Sequence, residues 1–383
     1  SPKQLSMMIS NKNNGFGYPV LIQIPRLKQP IPLFIIFKAL GIISDKEICE
    51  KIVLNIEDNS VEPIMSMLMA SIVEANTIMT QDDAIDYVTK YVLYTPLNMD
   101  KITGDKKKRE FAIEVLSNDI FPHCHSLTQK VYLLGYMTNR LISCKLGWEK
   151  SGNRDKYDNK RLDLVGCLLN NLFRNYFNKL VKDMIKQVVR EINNGSWKSK
   201  EDYCEIINLT NLYKIVKSTT IENGLKRALA TGDFGIKHIN SNKVGVAQVL
   251  NRLTYAATLS HVRRVNCPID KSGKLIPPRK LHNTSWGYVC PSETPEGQSV
   301  GVVKNLSMIC EITNSISSEP VRYIVNDHII KFNKIDDYTF NKSKHTKVFI
   351  NGDWIGYSLK PDILMKTLQH NRDNGVINLY TSF

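Results

Sequence analysis

The chain has 383 residues, 42% of them hydrophobic, and its 51 Lys and Arg residues against 37 Asp and Glu give a formal net charge of +14. That length predicts about two to four domains with buried cores, and the hydrophobic content excludes wholesale disorder. The positive charge favours a polyanionic partner such as nucleic acid, although a charge that serves solubility alone fits it equally. No apolar run approaches the roughly 18–20 residues of a membrane span, so we expect no membrane partner.

The first part of the chain predicts one short strand followed by helices. The strand covers residues 20–24, and an apolar, helix-like run covers residues 29–41. Ser44, with Glu47 three residues later, is typical of a capping box. It precedes a helical pattern over residues 48–94.

A basic segment and a second helix start come next. Residues 104–109 (Gly-Asp-Lys-Lys-Lys-Arg) predict a loop, which we interpret as a solvated turn more readily than as a binding site. Ser126 and Gln129 form a second capping-box pattern. Apolar residues at helical spacing follow it, which predicts a helix.

The eight cysteines do not predict a zinc site. None lies within four residues of another, whereas zinc sites draw on closely spaced pairs of ligands. The cluster His123-Cys124-His125 has no partner pair, which favours a loop before a helix over a metal centre. Free, mostly buried thiols in a reducing compartment fit this pattern.

The second half of the chain predicts helices, then strands. Residues 150–160 are polar and aperiodic, which indicates a domain boundary. Apolar residues over 162–192 predict one long amphipathic helix whose apolar stripe packs in the core. Another helix is predicted over residues 248–261. Three strand-like runs follow, at residues 321–325, 328–332 and 347–350.

Residues 248–304 gather polar and cationic side chains on segments rich in proline and glycine. The candidate contact residues lie on the predicted helix, at its end and in the loop after it. They are Gln248, Arg252, Tyr255, His261, Arg263, Arg264, Lys271, Lys274, Arg279, Lys280 and His282. Asp270 is the only acid between His261 and Lys280, so most of these cations lack a local partner. Guanidinium groups placed in this way can bind phosphates bidentately.

The loop over residues 290–297 (Cys-Pro-Ser-Glu-Thr-Pro-Glu-Gly) follows these cations. Its prolines restrict the backbone and its glycine allows a turn, and Glu293 and Glu296 can tie down the nearby arginines. On physical grounds alone, a nucleic-acid-binding loop and a structural turn are equally open.

Four motifs occur in a fixed order in this part of the chain. They are Ala-Thr-Gly-Asp-Phe-Gly (230–235), Gly-Val-Ala-Gln-Val-Leu-Asn-Arg (245–252), Thr-Leu-Ser-His-Val-Arg-Arg-Val-Asn-Cys-Pro (258–268) and the run from Lys-Leu-His-Asn to Thr-Pro-Glu-Gly (280–297). In this order they resemble the fork region of the second-largest subunit of multisubunit DNA-dependent RNA polymerase. The resemblance is closer to the eukaryotic, archaeal and large-virus branch than to bacteria.

The resemblance extends over essentially the whole chain. Residues 31–41 and 134–141 are similar to the lobe of that subunit. Residues 159–166 are similar to the passage into its protrusion, and residues 348–356 to its external region.

The resemblance implies an α+β multidomain fold with a mostly helical lobe and protrusion, a loop-rich fork and a β-rich external region. The implied divisions are residues 1–158 (lobe), 159–226 (protrusion), 227–306 (fork) and 307–383 (external region, truncated). Residues 232–243 would form fork loop one, near the upstream part of the RNA–DNA hybrid. Residues 262–274 would form fork loop two, near the downstream edge of the bubble.

The resemblance also implies residue roles. The residues that would line the active centre and contact nucleic acid are Gln248, His261, Arg263, Arg264, Lys274, Arg279 and His282. Glu293 and Glu296 would organise the loop behind the active site. No catalytic residue, zinc or other metal ligand is implied in this chain. The aspartates that hold catalytic Mg²⁺ belong to the family's largest subunit, and the second subunit's own acidic pair and zinc-binding end follow residue 383 in the family order.

The implied function is a share in DNA-templated RNA synthesis. The chain would form a wall of the DNA cleft and support the RNA–DNA hybrid and the downstream edge of the bubble. Its partners would be template DNA, nascent RNA, the largest subunit and smaller subunits. As an internal piece it would be inactive alone, because two-metal nucleotidyl transfer needs carboxylates around both ions. We expect an intracellular location, in the nucleus, a viral factory or a virion, since the Asn, Lys and Ile content suits a large DNA virus or a protist.

Two alternative functions each fit one feature. Asp233-Phe234-Gly235 resembles the metal motif of kinases, but the glycine-rich loop, strand lysine and catalytic-loop motif of kinases do not occur in the required order. A nucleic-acid-binding or virion structural protein would share the basic loops. The ordered fork motifs argue against it.

Overall fold

The computed structural model describes residues 4–95, 100–193, 209–235, 245–269, 271–273, 275–313, 315–330 and 345–383. The chain forms two compact units. Unit A consists of residues 2–151 and 313–383, and unit B of residues 152–312. The finer division into lobe, protrusion, fork and external region stays a prediction.

Unit A begins with a three-stranded antiparallel sheet in the order β1–β2–β3. Its strands are β1 (Ser6–Ile9), β2 (Val20–Gln23) and β3 (Ile31–Pro32). The predicted strand at residues 20–24 is thus confirmed. Six helices follow: α1 (Leu33–Ala39), α2 (Asp45–Val53), α3 (Glu62–Glu74), α4 (Gln81–Lys90), α5 (Lys101–Asn118) and α6 (Leu127–Lys145).

The core of unit A is built around α1, every residue of which is buried. Even Lys38 is buried, and its ammonium donates to the carbonyl oxygens of Ala75 and Ile78 and lies 3.2 Å from the Asp45 carboxylate. Because a buried charge is tolerated only when it is paired and hydrogen-bonded, this arrangement fixes α1 against its neighbours.

Of the two capping boxes that the sequence predicts in unit A, one is confirmed. At α6, Ser126 and Gln129 form the predicted capping box. The box predicted at Ser44 is wrong. Ser44 is the N-cap of α2, but its side chain makes no capping hydrogen bond, and Asp45 and Glu47 supply negative charge in the first turn instead.

The basic stretch 104–109 is helical, so the predicted loop is wrong. It forms the first half of α5, whose N-cap Asp100 accepts a hydrogen bond from the Thr103 amide. Gly104 is buried, which explains why a residue that usually breaks helices is tolerated here. Arg109 pairs with Asp82 and Asp86 of α4.

The rest of unit A contains α11 (Glu319–Asn326), β6 (Thr346–Ile350), β7 (Asp353–Ser358) and α12 (Pro361–Asp373). Strands β6 and β7 form a hairpin whose turn places Asn351 and Gly352 at positive φ, as tight hairpin turns require. Trp354 and Tyr357 are buried against Tyr132 and Tyr136 of α6. The predicted strand at residues 347–350 is confirmed.

Two further strand predictions meet different outcomes. Residues 321–325 lie in helix α11, so that prediction is wrong. Val321, Ile324 and Val325 lie three to four residues apart and turn one face to the core, a spacing that suits a helix. Ile330 forms an isolated bridge with Tyr357, and residues 331–332 lie outside the described residues. Contrary to the β-rich expectation, the described part of residues 307–383 contains more helix than strand.

Unit B contains α7 (Val165–Asn193), α8 (Leu209–Ile215), α9 (Thr219–Thr231), α10 (Tyr255–Val262) and a two-stranded antiparallel sheet of β4 (Arg264–Asn266) and β5 (Val303–Asn305). The long helix predicted over 162–192 is confirmed as α7. Its stripe is only partly buried, since Leu172 and Leu180 are enclosed. Exposed members of the stripe are Leu162, Val165, Leu169, Phe173, Phe177 and Ile185.

The exposure of α7 has a local cause. The small cluster between α7 and α9 encloses Leu172, Ala228 and Phe234, so it covers one side of the helix only. At Gly224 of α9 an added Cβ would lie 2.3 Å from the Tyr176 ring, which shows how closely these two helices approach.

Helix α10 is shorter than predicted. It begins at Tyr255, because the Thr254 side chain accepts a hydrogen bond from the Ala257 amide and caps the helix there. Gln248 and Arg252 therefore lie in a loop and not on a helix face. The α+β class is confirmed overall. Within the described residues, no helix is long and apolar enough to cross a membrane.

Candidate nucleic-acid interface

The β4–β5 sheet provides the frame of the candidate site in unit B. Arg264 pairs with Asn305 across the two strands, and Asn266 pairs with Val303. The Cys290 amide donates to the Asn305 carbonyl at 2.9 Å, which adds the 290–297 loop to the same frame. The end of α10, the strand after it and this loop are therefore joined by backbone hydrogen bonds.

Arg263 is turned into this frame. Its guanidinium donates to the carbonyl oxygens of Ser307 (2.6 Å) and Cys310 (3.4 Å). Its Nε is buried and has no hydrogen-bond partner among the described residues. Arg263 thus holds the segment after β5, and its hydrogen-bonding groups point at protein backbone.

Arg279 has a similar structural role in the loop after β4. Its guanidinium donates to the carbonyl oxygens of Gln298, Val300, Lys271 and Gly273 at 2.6–3.2 Å. The planar, five-donor guanidinium is suited to such multiple contacts. Gly301 packs against Arg279, since an added Cβ would lie 2.2 Å from the Arg279 carbonyl oxygen. Sequence reasoning missed this role because no local pattern shows which carbonyls an arginine will meet.

Arg264 differs from both of these arginines. It lies on β4 with its side chain exposed, and within the described residues that side chain forms no hydrogen bond or ion pair. The same holds for the exposed side chains of Arg252, Lys271 and Lys280. Lys274 and Asp270 lie outside the described residues. Arg264 is therefore a cation available to a ligand, on a strand whose backbone is fixed by its partner.

Gln248 and His261 contact each other. His261 Nε2 lies 3.0 Å from Gln248 Oε1, and His261 Nδ1 accepts a hydrogen bond from the Asn251 amide at 2.9 Å. The two predicted site residues are thus brought together, and both nitrogens of the imidazole are occupied by the protein.

His282 lies in a cleft of about 260 Å³ in unit B. Its ring nitrogens lie 3.1 Å from Asn153 Nδ2 and 2.7 Å from Thr284 Oγ1. Asn153, Asp155, Pro277, Lys280, Leu281, His282 and Asn283 line the cleft. His282 thus joins the segment before α7 to the loop that follows β4.

Tyr157 strengthens the same junction, and sequence reasoning missed it. Its ring stacks on Tyr288 with centroids 5.9 Å apart, and the Lys304 ammonium lies 5.9 Å from its centre. Its amide donates to Thr284 Oγ1 at 3.0 Å. Burial raises the pKa of its hydroxyl. A tyrosine in a polar stretch was the only sequence signal available.

The two glutamates expected to organise the arginines do not pair with them in the described residues. Glu293 accepts a hydrogen bond from the Ser260 hydroxyl of α10. Glu296 is exposed and precedes a short 3-10 turn. Arg263 and Arg279 bind backbone carbonyls instead.

The Asp233-Phe234-Gly235 motif has a structural explanation. Phe234 is buried between α7 and α9, and Asp233 accepts a hydrogen bond from the Gly235 amide. Gly232 ends α9 at positive φ, where an added Cβ would lie 2.3 Å from the Ala247 carbonyl oxygen. The rest of predicted fork loop one, residues 236–243, lies outside the described residues.

Within the described part of the chain, no group of three or more His, Cys, Asp or Glu residues is placed to hold a metal ion. His123, Cys124 and His125 lie in the loop before α6, as the sequence predicts. Burial, the largest cause, raises the pKa of the Cys124 thiol to about 11.

Comparison with known proteins places this chain among multisubunit RNA polymerases. Residues 7–163 match the family described as RNA polymerase Rpb2, domain 2, and residues 248–312 match RNA polymerase Rpb2, domain 3. The chain belongs to the Rpb2 family of second-largest subunits of DNA-directed RNA polymerase.

Individual relatives agree with this family. The chain is 38% identical to DNA-directed RNA polymerase II subunit 2 of Arabidopsis thaliana over 374 residues, which covers 96% of this chain and 30% of the relative. It is 38% identical to subunit RPB2 of Schizosaccharomyces pombe, over 97% of this chain and 29% of the relative. It is 34% identical to archaeal subunit Rpo2N of Methanococcus vannielii, over 80% and 57%. The chain thus spans about 30% of the length of the first two relatives.

Proposed function

We propose that this chain acts within the second-largest subunit of a DNA-directed RNA polymerase, where unit B lines the DNA cleft beside the active centre. There it supports the RNA–DNA hybrid and the downstream edge of the bubble. The observation that carries this proposal is the exposed, unpaired Arg264 on β4, in the same unit as Arg263 and Arg279, whose guanidinium groups bind backbone carbonyls and hold the loops.

The different contacts of these three arginines support a phosphate-binding surface. Arg263 and Arg279 fix the backbone, so binding a phosphate through Arg264 orders its side chain without a further cost in backbone freedom. Arg252, Lys271 and Lys280 add exposed positive charge on the same unit. Phosphate contacts of this kind position a nucleic acid without reading its sequence, as a polymerase that transcribes any template requires.

The chemistry of RNA synthesis is assigned elsewhere in the enzyme. Catalytic Mg²⁺ would be held mainly by the largest subunit, and template DNA, nascent RNA, the largest subunit and the smaller subunits would be the partners. The isolated chain is expected to be inactive. The proposed location is intracellular, either the nucleus or the viral factory or virion of a large DNA virus.

The first test is the substitution Arg264→Ala in the assembled polymerase. Loss of one phosphate contact should lower the stability of the elongation complex and make its salt dependence shallower by roughly one unit in the slope of log K against log salt. Lys366→Ala is the matched control, because Lys366 is an exposed cation of unit A on α12. An unchanged salt slope in the Arg264→Ala enzyme contradicts the proposed contact.

A second test separates this proposal from a plain nucleic-acid-binding protein. The chain is assayed for Mg²⁺-dependent RNA synthesis alone and as part of the complete subunit reconstituted with its partner subunits. Synthesis only in the reconstituted sample supports the polymerase assignment. If no other polymerase subunit associates, while the chain binds duplex DNA as well as an open bubble, the simpler binding function is favoured.

A further inference from the structure

Residues 245–254, here called the 245–254 loop, form no helix or strand. The loop begins with Val246 and Ala247, which pack against the cluster between α7 and α9. Residues 248–254 are exposed, and Val249 and Leu253 are 95% and 87% exposed. Apolar burial therefore cannot fix the conformation of residues 248–254. Hydrogen bonds must do so, and most of them come from α10.

The His261 ring makes two of these bonds. Its Nδ1 accepts from the Asn251 amide at 2.9 Å, so in the neutral ring the proton lies on Nε2, which donates to Gln248 Oε1 at 3.0 Å. The Gln248 amide is oriented by its own Nε2, which donates to the Gly245 carbonyl at 2.9 Å. One imidazole thus joins two points of the loop.

Thr258, one helical turn before His261, completes the arrangement. Its hydroxyl donates to the Asn251 carbonyl at 2.8 Å. The amide and the carbonyl of Asn251 are therefore both bound by side chains of α10. The next residue in the loop is Arg252, whose exposed side chain has no partner among the described residues.

We infer that His261 is a positioning residue. With Gln248 and Thr258 it forms a set of hydrogen bonds, here called the clasp, that holds the 245–254 loop so that Arg252 can bind the phosphates of nucleic acid. This inference rests on the proposed function and changes the role expected for His261 from the sequence. A ring whose two nitrogens are both occupied by the loop does not itself contact nucleic acid.

The clasp is tested first by hydrogen exchange on the assembled polymerase. In His261→Ala, amides of the 245–254 loop should exchange about tenfold faster, the change that corresponds to losing one or two ordinary hydrogen bonds. In His261→Asn, the amide oxygen can replace Nδ1 as acceptor, so protection of the Asn251 amide should be largely retained. His370→Asn is the control, because His370 is an exposed histidine of α12 that bonds to Asn374.

The second measurement asks whether the clasp acts through Arg252. Arg252→Ala and His261→Ala should each lower elongation-complex stability, and the double variant should be little worse than Arg252→Ala alone. Additive effects, or loop exchange that is unchanged in His261→Ala, would overturn the inference and favour direct contact by His261. Faster exchange with unchanged complex stability would also overturn the positioning role.

A different result is expected if the proposed function itself is wrong. In that case Arg264→Ala, which does not touch the clasp, would leave complex stability and its salt dependence unchanged as well. The exchange result would still report whether His261 holds the loop.

Discussion

Unit A encloses apolar side chains in a large cluster around α1 and in two smaller clusters, whereas unit B leaves much of α7 exposed and organises its loops by hydrogen bonds to arginine and histidine. Burial on this scale dominates the stability of a domain. Hydrogen-bonded loops contribute less stability but set the direction of individual side chains. The residues proposed to contact nucleic acid all lie in unit B, so the less densely packed unit carries the proposed function.

The largest expected effect comes from removing a core aromatic ring of unit A. Phe37 of α1 is fully buried, so Phe37→Ala should destabilise unit A by about 3–5 kcal/mol through lost burial and a residual cavity. The matched change in unit B is Phe177→Ala on α7, where the side chain is 47% exposed. It should cost under about 1 kcal/mol.

Hydrogen exchange, read separately for peptides of each unit, measures both changes, because a two-unit chain need not unfold in a single step. Comparable losses of stability in Phe37→Ala and Phe177→Ala would mean that the apolar stripe of α7 is covered in solution. The contrast between the two units would then be wrong.

A smaller effect is expected at a close helix contact of unit A. Gly135 of α6 lies against α2, and an added Cβ would be 2.2 Å from the Lys51 carbonyl oxygen. Because backbone cannot move aside as a side-chain tip can, Gly135→Ala should cost about 1–3 kcal/mol through overpacking. Gly166 of α7 has nothing within 4 Å of its added Cβ.

Gly166→Ala should therefore be neutral or slightly stabilising, since alanine favours helix. Hydrogen exchange, read for the peptides of unit A in Gly135→Ala and of unit B in Gly166→Ala, gives the comparison. A stability of Gly135→Ala equal to that of Gly166→Ala would show that α2 and α6 are not in such close contact.

Much of the fold of the two units could be predicted from the sequence, but not all of it. Helix α7 followed from its apolar period and the start of α6 from Ser126 and Gln129, because these signals are local. The helix over residues 104–109 was missed because its contacts with α4, such as that of Arg109 with Asp82, involve residues distant in sequence. The strand predicted at residues 321–325 failed because a short apolar run suits either a strand or one face of a helix.

The candidate site was also predictable only in part. Composition and motif order located the cationic segment, and the resemblance named its family. Which arginines are free was not predictable. Arg263 and Arg264 are adjacent in sequence, yet one binds the carbonyls of Ser307 and Cys310 and the other is exposed. That difference arises where α10 ends, because Arg263 is the C-cap of the helix and Arg264 is the first residue of strand β4. A local sequence pattern does not show at which residue this change from helix to strand occurs.

The arginine that holds the loops of unit B gives a third effect, similar in size to the second but confined to those loops. Arg279→Lys keeps the charge but cannot reproduce four bonds to carbonyl oxygens, so it should cost about 1.5–3 kcal/mol, confined to the loop after β4 and the 290–301 segment. Hydrogen exchange should rise in those peptides and stay unchanged in unit A. Arg264→Lys is the control and should leave exchange unaffected. Global unfolding of unit B by Arg279→Lys would show that its loops and helices are not separable.

The last effect concerns the pH dependence of unit A, and it develops only above pH 9. Burial, with Asp45 and Glu50 adding to it, raises the pKa of the Cys49 thiol to about 12 from an ordinary value of 9.0. The unfolded chain therefore releases this proton first as the pH rises. Below pH 9 the stabilising contribution is complete, and between pH 9 and 12 unit A should lose at most about 1.4 kcal/mol per pH unit from this group.

Cys49→Ala removes this proton and should flatten the alkaline loss of unit A, measured by hydrogen exchange corrected for the intrinsic exchange rate at each pH. It also leaves a small cavity, so the comparison uses the slope with pH and not the absolute stability. Cys167→Ala is the control, because this cysteine is exposed on α7 of unit B, and the slope of unit A should not change. An equal alkaline slope in the wild-type chain and Cys49→Ala would mean that Cys49 is accessible to solvent, and the core around α2 would then be less tightly closed than the structure indicates.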